Sequence, residues 1–202
     1  MISNKEALRR LCAGNGRFVS DSSIFNNAFS HKSRCHSLTE NQNPFAIILG
    51  CSDSRVPAEI IFDQGLGDLF VIRVAGNIVA PSQIGSIEFA VERFDTKLVV
   101  IMGHSRCGAI QATIDELKSP KSQSNNFYSI VDHIRPSLTP LLQIDQNQDL
   151  LLQQAVRANI RSSVHQLKHS SKILEKLVKK KKLLIIGAEY SLDTGIVTFF
   201  DK

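Results

Sequence analysis

Two cysteines and one histidine carry the strongest chemical signal in this 202-residue sequence. Cys51 follows an apolar run at 45–49 and Gly50, while His104 and Cys107 follow a second run at 98–102 and Gly103. Thiolate and imidazole together suit zinc, which takes sulfur and nitrogen at tetrahedral distances. Three ligands leave the fourth position open, the arrangement of a catalytic metal rather than a structural one. A water in that position becomes hydroxide near neutral pH. Two thiolates offset the metal's double charge, so a weaker effect on the water is expected than from three neutral imidazoles, with activity favoured on the alkaline side. By itself, His-x-x-Cys with one distant cysteine is a weak pattern. Its neighbourhood adds content: Cys51-Ser52-Asp53-Ser54-Arg55 sets a carboxylate and a guanidinium two residues apart beside the first thiol. An Asp–Arg pair of this kind can be bidentate, keeping the Asp ionised and aimed. The plainer alternative is a helix-capping carboxylate and a surface Arg ahead of a helix opening at Pro57.

These residues need elements to position them. Short runs that are apolar on both faces, at 45–49, 69–74, 98–102 and 183–186, predict strands of a parallel sheet covered on both sides. Helix-like segments lie between them: 86–94 after Pro81, 109–117 after Gly108, and one or two long helices over 150–177. Strands alternating with helices predict an α/β fold with a mostly parallel sheet of about four strands. Residues 196–200, after Asp193-Thr194-Gly195, predict an antiparallel edge strand. An N-terminal helix over 4–18, with Ser3 as its cap, precedes a polar arm at 20–43. The whole is expected to be one domain over 1–202, with 1–43 as helix and arm and 44–202 as the α/β core. In such a sheet ligands gather at the carboxyl ends of the strands, where Cys51, His104 and Cys107 would meet if their strands are neighbours.

Composition narrows the field. Hydrophobic residues are 43% and charged residues 21% of the chain, which suits a folded soluble domain rather than a disordered one. No apolar run approaches membrane-spanning length, and the N-terminus lacks the apolar core of a secretory signal, so a cytoplasmic location is expected. The four cysteines are too few and too scattered for a disulfide framework. The net charge of +5 is uneven: residues 151–202 carry ten Lys/Arg against four Asp/Glu, and 1–150 carry fourteen against fifteen. No aromatic residues interleave with Lys179–Lys182, so the basic stretch reads as a solvated helix end rather than a nucleic-acid site.

The sequence resembles the β-class carbonic anhydrases. The resemblance rests on Cys51-Ser-Asp-Ser-Arg-Val-Pro57, Gly67-Asp-Leu-Phe-Val-Ile-Arg-Val-Ala-Gly-Asn77, Gly85-Ser-Ile-Glu-Phe-Ala90 and Gly103-His-Ser-Arg-Cys-Gly-Ala109, and continues through Gly187-Ala-Glu-Tyr-Ser-Leu-Asp-Thr-Gly195. The motifs keep their order and spacing over nearly the whole chain. The resemblance implies one zinc per chain on Cys51, His104 and Cys107, with Asp53 accepting a hydrogen bond from the zinc-bound water or hydroxide and Arg55 holding Asp53. It implies reversible hydration of carbon dioxide to bicarbonate and a proton. Gln42 matches a substrate-facing glutamine, and Gly108 would offer a backbone N–H to the substrate. Phe70, Ala75 and Phe89 match an apolar pocket completed by a dimer partner, so a homodimer or higher homo-oligomer is expected, with no membrane or nucleic-acid partner. A family bicarbonate site of Trp, Arg and Tyr is matched by Arg73 and Tyr190 only, since Ile48 stands at the Trp position; regulation there is not expected.

Other candidates read as ordinary. His31, Cys35 and His36 sit in the polar arm, His165 and His169 on a solvated helix face, Cys12 in the packed side of the first helix, and His133 has no assigned role. The competing functional reading is a non-catalytic zinc or bicarbonate-binding protein in which Asp53 closes the metal site as a fourth ligand. A carbon disulfide hydrolase of the same fold, a basic zinc protein on nucleic acid and a Cys-x5-Arg phosphatase stand behind it; the last fails because Pro57 stands where the Arg would be.

Overall fold

The apolar runs become strands because both of their faces are covered. The computed structural model describes residues 2–24, 42–121 and 124–200, and at its centre lies a five-stranded sheet in the order β2-β1-β3-β4-β5. β1 (Ala46–Gly50) and β3 (Leu98–His104) are buried along their whole length. β1 pairs in parallel with β2 (Leu69–Arg73) and with β3, and β3 pairs in parallel with β4 (Leu184–Tyr190). The short β5 (Val197–Phe199) closes that side antiparallel to β4. Successive side chains point to opposite faces. Ile48, Val100 and Ile186 pack with Leu11 and Phe62 on one face, and Ile47, Val99 and Ile185 with Ile87 and Leu174 on the other.

The helices form where caps and periodicity agree. α1 (Asn4–Val19) starts at Ser3, whose hydroxyl accepts the Glu6 N–H at 3.2 Å. Asn15 fastens α1 to the rest of the chain, donating to the Ile61 and Gly195 carbonyls and accepting the Val197 N–H. α2 (Ala58–Ile61) is a single turn after Pro57. α3 (Pro81–Phe94) begins at Pro81 rather than near 86, because proline fits the first helical position, where its missing N–H costs nothing. α4 (Gly108–Lys118) follows Cys107. α5 (Asn125–Leu138) is a helix that the periodicity did not single out: Ser124 caps it just inside the polar run, and Pro136 in its last turn obscures the spacing of Val131, Ile134 and Leu138. The long basic stretch resolves into two helices, α6 (Gln148–His169) and α7 (Lys172–Lys179), separated where Ser171 caps the second.

Two features of the sheet bear on the site. β3 and β4 run on to His104 and Tyr190, which are register partners, so His104 is the last strand residue rather than a loop residue. α6 also lies close to the sheet: a Cβ on Gly103 or Gly187 would fall 2.7 or 2.6 Å from Ile160. Among the described residues no helix is long and apolar enough to cross a membrane.

Candidate metal centre

β1 and β3 are hydrogen-bonded neighbours, with Gly50 opposite Met102, so the chain leaving each strand meets the other at one edge of the sheet. The segment after β1 is held from two sides. Asp53 Oδ1 accepts the backbone N–H of Arg55 at 3.0 Å and its Nε at 2.9 Å, while Oδ2 accepts Nη2 at 2.8 Å. Arg73, the last residue of β2, donates Nε to the Cys51 carbonyl at 3.0 Å and Nη2 to the Asp53 carbonyl at 2.5 Å. The segment after β3 is a tight turn in which Arg106 takes a left-handed backbone, φ 54°. It is stitched to the chain leaving β4. The Ser105 N–H donates to the Tyr190 carbonyl and its hydroxyl accepts the Leu192 N–H, each at 2.9 Å, and Arg106 pairs with Asp193 at 2.9 Å.

Those constraints gather Cys51, His104 and Cys107, all buried, with their donor atoms within 4.8 Å of one another. Cys51 Sγ lies 4.0 Å from Cys107 Sγ. Two zinc–sulfur bonds of about 2.3 Å at a tetrahedral angle would separate the sulfurs by about 3.8 Å. His104 Nδ1 lies 2.9 Å from the Ser105 carbonyl, which can only accept, so Nδ1 carries the proton and Nε2 keeps a bare lone pair. Nε2 is buried and has no hydrogen-bond partner among the described residues. An imidazole nitrogen left in this way beside two thiols fits a metal ligand set.

The thiols themselves ask for a cation. The hydrogen bond from Cys107 lowers the pKa of Cys51 against the cost of burial, with help from the His104 side chain and from the Asp53 and Gly76 N–H groups. The same contact, together with burial, raises the pKa of Cys107. One thiolate therefore forms readily and its neighbour resists, unless a positive ion sits between them. The N–H groups of Ala109 and Ile110 in the first turn of α4 oppose that resistance at Cys107. Asp53 is held well below the usual carboxylate range, chiefly by its hydrogen bonds from Arg55. Its Oδ2 lies 3.8 Å from His104 Nε2, outside the ligand group and beside it.

The remaining sequence candidates divide. Ala75 sits in the short turn after β2, where the Val74 N–H donates to the Gly50 carbonyl at 3.1 Å, and Gly108 opens α4 beside Cys107; both lie at the rim. Phe70 and Phe89 instead form a three-ring cluster with Phe94, centroids 5.8 to 6.3 Å apart, with Phe89 54% exposed. Gln42 is exposed and lies two residues before Pro44, whose carbonyl Thr96 holds at the opposite end of the sheet. Within one chain, Phe70, Phe89 and Gln42 therefore do not join the Cys/His group. Ile48 is fully buried in the sheet. The His165 and His169 rings lie tilted with centroids 4.4 Å apart, and Cys12 packs against the core. His31, Cys35 and His36 lie outside the described residues. The sequence reading missed Ser105 and Asp193 as the fasteners of the ligand turn. Their partners are more than 80 residues away in sequence, so no local pattern announces them.

Comparison with known proteins bears on this geometry. A protein-family model described as carbonic anhydrase matches residues 46–197. A carbonic anhydrase of Mycolicibacterium smegmatis is 35% identical, covering 95% of this chain and 90% of its own, and carbonic anhydrase 2 of Mycobacterium tuberculosis is 33% identical, covering 94% and 89%. Among solved structures, the β-carbonic anhydrase CcaA superposes with a TM-score of 0.78 at 26% identity, over 97% of this chain and 88% of that one. A tetrameric β-carbonic anhydrase of Sordaria macrospora, at 21% identity and covering 94% of each chain, shares the fold with a TM-score of 0.73.

Proposed function

The chain belongs to the β-class carbonic anhydrases, and we propose that its reaction, the reversible hydration of carbon dioxide to bicarbonate and a proton, runs at a zinc held by Cys51, His104 and Cys107. The observation that carries this placement is the buried, unpartnered Nε2 of His104 beside two thiols 4.0 Å apart. Zinc, when bound, supplies Lewis acidity that makes a water nucleophile available near neutral pH. The protein's residues do the rest. Asp53, acceptor-only while ionised, takes the hydrogen bond of the nucleophile at Oδ2 and so turns its lone pair toward the substrate. Arg55 keeps both Asp53 oxygens in place. Ala75 gives the rim an apolar wall suited to a small apolar gas, and the Gly108 N–H offers a donor to the product's oxygen.

Asp53 decides between the enzyme and the closed, non-catalytic reading. Its pairing with Arg55 through both oxygens supports the open arrangement, in which the fourth metal position belongs to the nucleophile. Gln42, Phe70 and Phe89 then act through a second copy of the chain, which makes a homodimer the smallest complete unit. The reading takes 1–202 as one domain working in the cytoplasm.

Stopped-flow carbon dioxide hydration on the zinc-loaded protein, beside Cys107→Ser, tests this. Hydration that rises from neutral to mildly alkaline pH and falls to background in Cys107→Ser is expected. A silent wild-type protein holding one zinc per chain would replace it with the closed reading.

A further inference from the structure

The end of the sheet opposite the chain's own metal centre carries a charged feature that shares no residue with the Cys51, His104 and Cys107 group. A groove of about 930 Å³ lies where α7 passes the starts of β3 and β4. Lys97, Lys176, Lys181 and Lys182 line it, against Glu92 and Asp95. Lys97 pairs with Asp95 at 3.3 Å, whereas Lys176, Lys181 and Lys182 are exposed and form no ion pair among the described residues. The floor between these charges is apolar, built from Val91, Ile173, Leu177 and Leu183, with Ile173 38% exposed. The first turn of α1, at Ser3 and Asn4, borders the groove and adds the positive end of its dipole.

We propose that this groove docks an acidic polypeptide segment in which carboxylate and apolar side chains alternate. The cationic rim answers the carboxylates and the apolar floor answers the residues between them. Other polyanions match less of the surface. A bilayer is flat and would need an apolar helix face, but Leu174 is fully buried, and Leu177 and Val178 pack against the core as well. Single-stranded nucleic acid would need aromatic stacking platforms, and the lining has none. A phosphate backbone would leave the apolar floor unused. Docking at this end lies away from the mouth of the chain's own metal centre, so the partner would station the enzyme without occupying that centre.

Fluorescence anisotropy with a fluorescein-labelled peptide of alternating aspartate and leucine, on the zinc-loaded full chain, tests the proposal. Saturable binding that weakens as salt is raised is expected. Lys176→Glu/Lys182→Glu should weaken it by about tenfold or more, while Lys176→Arg/Lys182→Arg retains it and carbon dioxide hydration stays the same in all three proteins. If far-UV circular dichroism shows the charge-reversed protein to be misfolded, Lys176→Gln/Lys182→Gln should show the same direction of loss. Absence of saturable binding overturns the proposal. So does undiminished binding by the charge-reversed protein, or equal or tighter binding of a DNA duplex or of phosphatidylserine vesicles.

Discussion

The two ends of the sheet are built on opposite principles. At the carboxyl end the polar groups that frame Cys51, His104 and Cys107 are paired one by one: Asp53 by Arg55, the Cys51 and Asp53 carbonyls by Arg73, Ser105 by Leu192, Arg106 by Asp193. Among the described residues the buried side-chain atoms left without a partner are His104 Nε2 and Asn77 Nδ2. At the amino end three exposed lysines form no ion pair among the described residues and stand over an apolar floor. A buried end whose two thiols and one imidazole lone pair converge within a framework of paired groups is prepared for a single small occupant. An exposed end with unanswered charge is prepared for something long, weakly held and sensitive to salt.

Substitutions can break that contrast, beginning with the strongest. Cys107→Ser removes a ligand from the buried end and should take hydration to background. Asp53→Asn keeps the shape but replaces an acceptor by a donor on one side, and should slow hydration by about 10²-fold with zinc content unchanged; stopped-flow rates beside metal analysis separate this from loss of the ion. Gly103→Ala acts beneath the site, where the new Cβ would stand 2.7 Å from Ile160. A cost of about 1–3 kcal/mol in urea unfolding is expected, from α6 being pushed off the sheet.

A subtler effect concerns pH. Because Asp53 is held below the usual carboxylate range when folded, its pairing contributes stability that is present above the unfolded pKa of about 3.9 and is lost as pH falls through the folded value. A carbon-13 titration of its carboxyl should therefore show no midpoint in the ordinary carboxylate range; a midpoint there would mean that the Arg55 pair does not persist in solution. It also follows that Asp53 is not the group behind any rise in hydration toward alkaline pH. The smallest effect belongs to the other end: the lysine reversals should leave hydration untouched.

Much of this was legible in the sequence because it is local. The apolar runs marked all four parallel strands, since a strand covered on both faces has no polar alternation to confuse with helix, and the glycines that end β1 and precede His104 marked where chemistry would sit. The Asp53–Arg55 pair was legible for the same reason, being made within three consecutive residues. α5 was not, because its cap lies inside a polar run and Pro136 interrupts its period. The fastening of the ligand turn was not either, because Ser105 and Arg106 find their partners only after β4 has been laid beside β3. Gln42, Phe70 and Phe89 show a further limit: a single chain's sequence can name residues that its own fold keeps apart.

Arg73 has a mechanical consequence. It closes the outer strand β2 and grips the two carbonyls that frame the Cys51–Asp53 segment. Phe70, three residues earlier on the same strand, belongs to the ring cluster whose exposed member is Phe89. A subunit seated on those rings would load the strand whose far end holds the Cys51–Asp53 segment, and stiffness gained in assembly would reach that segment through this guanidinium as well as through the strand ladder.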